Sequence, residues 1–107
     1  MRFSPKHRRD QNHAEISDAY RELHCDVFDT SQVGNGFPDL GIGLSGRLYG
    51  REIKVVGEGL SDEQEAALSV WRGPKVKVIR TMRDVMDDVT DIRRSISRWT
   101  ITNPSEC

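Results

Sequence analysis

Apolar positions recur three or four apart in three stretches of the chain and at every second position in four others, and that contrast predicts the elements. Residues 10–24, DQNHAEISDAYRELH, place Ile16, Ala19, Tyr20 and Leu23 on one helical stripe with Asp10 as the N-cap. CDVFDTS, 25–31, reads as a strand around Val27 that the glycines of VGNGFP interrupt. Leu40, Ile42 and Leu44 share one face of a second strand, while Asp39, Gly41 and Gly43 share the other. Ser45-Gly46 then turns the chain into a third strand over roughly 48–56.

A second helix opens at Ser61, where Ser61-x-x-Gln64 has capping-box spacing, and stops at Gly73-Pro74, with Leu60, Ala67, Leu68 and Trp71 as its core stripe. KVKVIR, 75–80, forms the fourth strand. Thr81-x-x-Asp84 starts a third helix whose Met82, Val85, Met86, Val89, Ile92, Ile96 and Trp99 lie on one stripe, with a break near Thr90. The order α-β-β-β-α-β-α predicts an α/β fold, a small mixed sheet flanked by helices.

Length and composition bound this picture. With 107 residues, 36% hydrophobic and 31% charged, the chain suffices for one domain spanning 1–107. The start, MRFSPKHRRDQNH, has charge but no apolar run behind it, and no later run of about 18 apolar residues can span a bilayer, so a cytoplasmic or nucleoid location is expected. Cys25 and Cys107 have neither metal-ligand spacing nor a disulfide pattern and are expected to be free thiols.

A net charge of -1 conceals segregation. Residues 57–71 carry four acids and no base, whereas 72–98 carry eight bases against four acids. The basic C-terminal third, with Arg93, Arg94 and Arg98, and the Arg- and His-rich N-terminus, with Arg9 and His13, can contact phosphates or can form solvated helix faces. His7 and His24 are expected at the surface.

The candidate chemistry lies in the middle of the sheet. Along the third strand Glu52 and Lys54 point to one face, Ile53 and Val55 to the other. Asp39 heads the neighbouring strand on a face otherwise made of glycine, so a hairpin would bring it beside Glu52. Two carboxylates that close repel one another, and a divalent cation relieves the repulsion. Oxygen donors without a Cys/His set point to Mg²⁺ or Mn²⁺.

Pro38-Asp39, twelve intervening residues, then Glu52-Ile53-Lys54 resembles the signature of the PD-(D/E)XK nucleases. With Glu15 in the first helix, VGNGFPDL ahead of the aspartate and LSDEQ after the E-x-K strand, it is similar to small stand-alone nucleases of the VRR-NUC and Holliday-junction-resolvase type, often carried by phages. The resemblance implies a restriction-endonuclease-like α-β-β-β-α-β core over about residues 8–88; it leaves the first few residues and the C-terminal segment unaccounted for, and about 89–107 reads as a C-terminal helical extension of the same domain. It implies Asp39, Glu52, the Ile53 carbonyl and Glu15 as metal ligands, Lys54 as the water-orienting or charge-stabilising group, and a site role for Gln64, whose alternative is simply to close the capping box. Leu68 stands where relatives often carry an aromatic. The turn residues Gly34, Asn35 and Gly36, with Ser31, Arg9 and His13, are the candidate nucleic-acid contacts; the glycines can equally serve the turn alone.

The function these features imply is metal-dependent endonuclease cleavage of DNA. So small a protein has few groups left to read base edges, so recognition is expected to rest on phosphates and DNA shape, hence on flaps or four-way junctions. The long C-terminal apolar stripe and Trp71 and Trp99 suggest a homodimer. The alternative is a catalytically silent nucleic-acid-binding or interaction module with the same fold.

Overall fold

Seven elements follow one another in a computed structural model of the chain, which describes residues 5–102 and the side chains of 9–96. They are α1 (Pro5–Glu22), β1 (Asp26–Asp29), β2 (Leu40–Leu44), β3 (Arg47–Ile53), α2 (Asp62–Ser69), β4 (Lys77–Ile79) and α3 (Met82–Thr102). The order is the α-β-β-β-α-β-α read from the pattern, and the sheet is mixed: β1, β2 and β3 are antiparallel neighbours, and β4 joins β3 in parallel after the α2 crossover. No helix among the described residues is long and apolar enough to cross a membrane.

Local chemistry sets most boundaries. α1 begins at Pro5, whose fixed φ and missing N–H suit a first helical position, so Asp10 lies inside the helix instead of capping it. The helix ends where His24 takes a φ of 66°: the Cys25 N–H donates to the Tyr20 carbonyl at 3.1 Å and the His24 N–H to that of Arg21 at 3.0 Å. These are the paired bonds of a Schellman cap, and they start β1 one residue later than expected. Ser45 and Gly46, with φ of 55° and 79°, make the left-handed two-residue turn that suits the twist of the β2–β3 hairpin.

Both capping boxes form. Ser61 and Gln64 bond reciprocally at the start of α2, and Thr81 and Asp84 do so at the start of α3. The α2 expectation fails at its other end: the helix stops at Ser69 with Val70 as C-cap, short of Gly73-Pro74, and none of its residues is fully buried. α3 runs unbroken through Thr90, which faces solvent between the buried Val89 and Ile92. β1, β3 and β4 are each shorter than expected, since a turn from Val55 to Glu58 ends the third strand early. Trp99, Arg98, Cys107 and His7 fall outside the described side chains.

α1 and α3 cover the same side of the sheet. Ile16 and Tyr20 from α1, Leu40 and Ile42 from β2, Ile53 from β3, Ile79 from β4, and Val85 and Val89 from α3 form the core, with the buried thiol of Cys25 beside them. Met82 and Met86, assigned to the core stripe, are exposed instead.

A charged network replaces apolar packing at the centre of that core. Arg51 is 1% exposed, and its Nε and Nη2 donate to the two Asp88 oxygens at 2.6 and 2.8 Å. The Tyr20 hydroxyl donates to Asp88 at 2.6 Å, so one carboxylate ties α1, β3 and α3 together. Arg51 Nη1 also donates to the Gly50 and Lys75 carbonyls, which leaves little of the guanidinium unsatisfied. Burial alone would raise the Asp88 pKa, but the bonds from Arg51 and Tyr20 and the charges of Arg51 and Lys77 prevail and hold it below the ordinary value.

Candidate active site

The register of β2 and β3 brings the two sequence-distant acids together. Leu40 pairs with Arg51 and Gly41 with Gly50, so one step further along the hairpin Asp39 stands opposite Glu52. Pro38, buried, fixes the approach: the Thr30 hydroxyl donates to the Pro38 carbonyl at 2.7 Å and the Thr30 N–H to that of Asp39 at 2.9 Å. Asp39 Oδ2 accepts from the Ile53 N–H at 3.1 Å, which aims this carboxylate across to β3. Gly41 and Gly43 follow on the same face, so β2 adds no further side chain of its own beside it.

Glu52 is 3% exposed. Its Oε1 accepts from Gln64 Nε2 at 2.7 Å, while Gln64 Oε1 accepts from the Ser61 N–H at 2.9 Å. One amide therefore closes the capping box and also holds the Glu52 carboxylate. Burial pushes the Glu52 pKa up to about 8, and hydrogen bonding to Asp39 and the charge of Asp39 add to the rise, while nearby Lys54 opposes it. Near neutral pH the pair thus retains a proton that a cation can displace.

Lys54 follows Glu52 at the end of β3 and is buried. Its N–H donates to the Ile79 carbonyl at 3.1 Å, and its carbonyl accepts from Asn12 Nδ2 at 3.2 Å, so β4 and α1 both hold its backbone. Asp39, Glu52, Ile53, Lys54 and Gln64 line one cleft of about 570 Å³. Its outer wall includes Arg9, Asn12 and His13 of α1, Asp29 at the end of β1, and Ser31 and Gln32 after it.

Ser31 donates twice to Asp29 Oδ1, from its hydroxyl at 2.6 Å and its N–H at 2.9 Å, and these bonds hold the Asp29 pKa below its ordinary value. His13 Nε2 lies 3.9 Å from the same oxygen, is itself buried and has no hydrogen-bond partner among the described residues. Arg9 pairs with Glu58 at 3.8 Å.

Several expected site residues stand elsewhere. Glu15 is exposed, accepts from Gln11 at 3.2 Å and borders a separate depression with Val56 and Arg80. The helix explains this: Arg9, Asn12 and His13 form the face turned to the cleft, the next residue on it is the core residue Ile16, and Glu15 lies to one side. Gly34, Asn35 and Gly36 do not line the cleft. Gly36 instead packs on α2, where a Cβ would lie 2.6 Å from the Glu63 carbonyl oxygen. Arg93 donates to the Leu23 carbonyl at 2.7 Å and so secures the end of α1.

Asn12 and Asp29 were not singled out from the sequence. Asn12 had a usable signal, being three residues after Arg9 and next to His13; Asp29 read only as a polar strand position. Among the described residues no group of three or more His, Cys, Asp and Glu side chains gathers as a metal centre.

No protein-family model, curated protein or solved structure matches the chain. What the site can do follows from its own groups. Asp39 and Glu52 offer hard oxygen donors side by side, a set suited to Mg²⁺ or Mn²⁺ with water completing the coordination. The buried Lys54 lies in the same cleft, and Gln64 hydrogen-bonds the more deeply buried acid.

Proposed function

We propose that the protein is a Mg²⁺- or Mn²⁺-dependent endodeoxyribonuclease that hydrolyses phosphodiester bonds in branched DNA. The observation that carries this reading is Asp39 opposite Glu52, with Lys54 and Gln64 in the same cleft. A divalent ion bound there supplies Lewis acidity and positive charge to the phosphate chemistry. Asp39 and Glu52 hold it; Gln64 keeps Glu52 in one orientation; Lys54 offsets negative charge on the phosphate. Arg9, His13 and Ser31 lie along the outer wall, where flanking phosphates would pass.

The location in this reading is the cytoplasm or nucleoid, in recombination, repair or phage DNA processing. The working form is a homodimer offering one cleft to each of two strands. Its support is the outer face of the sheet, where, among the described residues, Phe28 and Leu48 are left 54% and 60% exposed on either side of Gly41. Sedimentation equilibrium at micromolar protein should give twice 12.2 kDa, and a lone monomer with and without DNA would remove the dimer.

A second reading, a catalytically silent nucleic-acid-binding module, draws support from the fact that, among the described residues, no third acid of the cleft gathers with Asp39 and Glu52 into one metal-holding group. Incubation with plasmid, flap and four-way-junction DNA side by side, in Mg²⁺, Mn²⁺ and EDTA, separates the two. The nuclease reading expects cleavage only with metal and preferentially of branched DNA. Intact DNA in every lane would favour the silent module.

A further inference from the structure

The loop between β1 and β2 holds one aromatic ring outward. Gly34, Asn35 and Gly36 take successive φ values of 76°, 55° and 78°, a left-handed run that glycine and asparagine adopt most cheaply. Gly36 is pressed onto α2, where any Cβ would also lie 2.9 Å from that of Ala67. The Phe37 N–H closes the turn on the Gly34 carbonyl at 3.0 Å, and the residue after it, Pro38, is buried. The Phe37 backbone is thus fixed on both sides, yet the residue stays 41% exposed.

Its ring partner is Trp71, with centroids 5.7 Å apart and an interplanar angle of 67°. The Trp71 indole is held in turn, because Nε1 donates to the Pro74 carbonyl at 2.9 Å and the ring lies against Gly73. A rigid, edge-supported ring with an open face suits a flat partner that stacks on it.

Two neighbouring features identify that partner. Ser31 and Gln32 of the same loop line the carboxylate cleft, and Phe37 precedes Asp39 by two residues, so its backbone lies within about 7 Å of that of the acid although the ring itself is outside the cleft lining. Beyond Trp71 the chain exposes Arg72 and Lys75, and no acid occurs between 71 and 80. An aromatic face beside exposed cations is how proteins hold single-stranded nucleic acid, with bases stacked on rings and phosphates beside cations.

We infer that Phe37, backed by Trp71, is a stacking platform for an unpaired base of the DNA, with Arg72 and Lys75 beside that strand's phosphates. The inference rests on reading the cleft as a DNA-cleaving site, and it narrows the substrate. A base inside a duplex has both faces covered by its neighbours and cannot lie on Phe37. The favoured substrate therefore carries a single-stranded arm next to the scissile bond, as a flap does and a fully paired four-way junction does not.

The test uses the full chain carrying Asp39→Asn, which keeps an oxygen acceptor for the Ile53 N–H, in EDTA so that nothing is cut. The probes are a flap whose single-stranded arm bears a fluorescent adenine analogue at successive positions and a fully paired duplex bearing the same analogue. Stacking predicts quenching at one or two arm positions next to the branch. Phe37→Ala should abolish the quenching and weaken flap binding about tenfold, leaving duplex binding unchanged. Phe37→Tyr should restore both, and Phe37→Leu, apolar but not aromatic, should not. Equal loss on flap and duplex, full quenching and flap binding by Phe37→Leu, or unaltered flap binding in Phe37→Ala would each overturn the platform. The last would leave the patch to a protein partner. The two readings fail separately: without the Asp39 substitution, uncut flap in Mg²⁺ and Mn²⁺ despite Phe37-dependent quenching rejects the nuclease and keeps the platform, whereas metal-dependent cutting with Phe37-independent binding does the reverse.

Discussion

Gln64 Nε2 donates to Glu52 at 2.7 Å while the other end of the same amide accepts from the Ser61 N–H at 2.9 Å, so the start of α2 and the more deeply buried acid of the cleft are set by one side chain. Glutamate, the other usual residue at this capping position, accepts the Ser61 bond equally well but cannot donate to Glu52. Glutamine is the residue that meets both demands.

This predicts that two substitutions at Gln64 separate the roles. Gln64→Ala loses both bonds and should cost about 1–2 kcal/mol of stability together with roughly tenfold in metal-dependent cleavage. Gln64→Glu keeps the cap but sets a further acid against Glu52. Its thermal midpoint in EDTA should fall, and added Mn²⁺ should raise it by more than it raises the wild type. Equal shifts with Mn²⁺ in the two proteins would separate Gln64 from the metal site.

Glu52 also gives the protein a pH dependence of definite sign. Its pKa rises from 4.5 to about 8 on folding, so between these values the folded chain holds a proton that the unfolded chain has released. Stability contributed by that proton is complete below the unfolded value and is lost as pH rises through the folded one. Urea midpoints in EDTA should therefore fall between about pH 5 and about pH 9, and Glu52→Gln should flatten the fall. Divalent ions, which compete with the proton, should bind more tightly as pH rises over the same window. An unchanged slope in Glu52→Gln would assign the dependence to another group.

Asp88 is the support beneath the site, because Arg51, its partner, immediately precedes Glu52 on β3. Asp88→Ala leaves a buried guanidinium uncompensated and should cost about 3–5 kcal/mol in chemical denaturation. Tyr20→Phe, which removes one bond to the same carboxylate, should cost about 1.5–3 kcal/mol. A double variant, Arg51→Met with Asp88→Leu, should recover much of the loss. Loss of less than about 1 kcal/mol in Asp88→Ala would mean that the network does not hold the core together.

That network marks where the sequence stopped being legible. Alternation placed Leu40, Ile42 and Leu44 correctly, and the Ser45-Gly46 turn fixed the register that sets Asp39 opposite Glu52. The two capping boxes started α2 and α3 where the spacing put them. Arg51 lies two residues before Ile53 on the strand and Asp88 three residues after Val85 on the helix, but neither was singled out from the sequence, because neither segment shows the other. Pairing across 37 residues is invisible to any local pattern. Glu15 failed for a related reason: nothing in the helical period says which side of the Ile16 stripe will turn to the cleft. The end of α2 was misplaced because Val70 caps it before Gly73-Pro74 is reached.

Single-turnover cleavage of a flap substrate in Mn²⁺, by wild type and by Asp39→Asn, Glu52→Gln and Lys54→Ala at matched folding, tests the central claim most directly. The two carboxylate variants keep their hydrogen-bonding shape and lose only charge, so each should slow cleavage by about a hundredfold or more and bind Mn²⁺ weakly. Lys54→Ala should be slowed comparably while still binding Mn²⁺, since the lysine acts on the phosphate. Cleavage by Asp39→Asn and Glu52→Gln at the wild-type rate would contradict the assignment of this cleft as the place where the phosphodiester is cut.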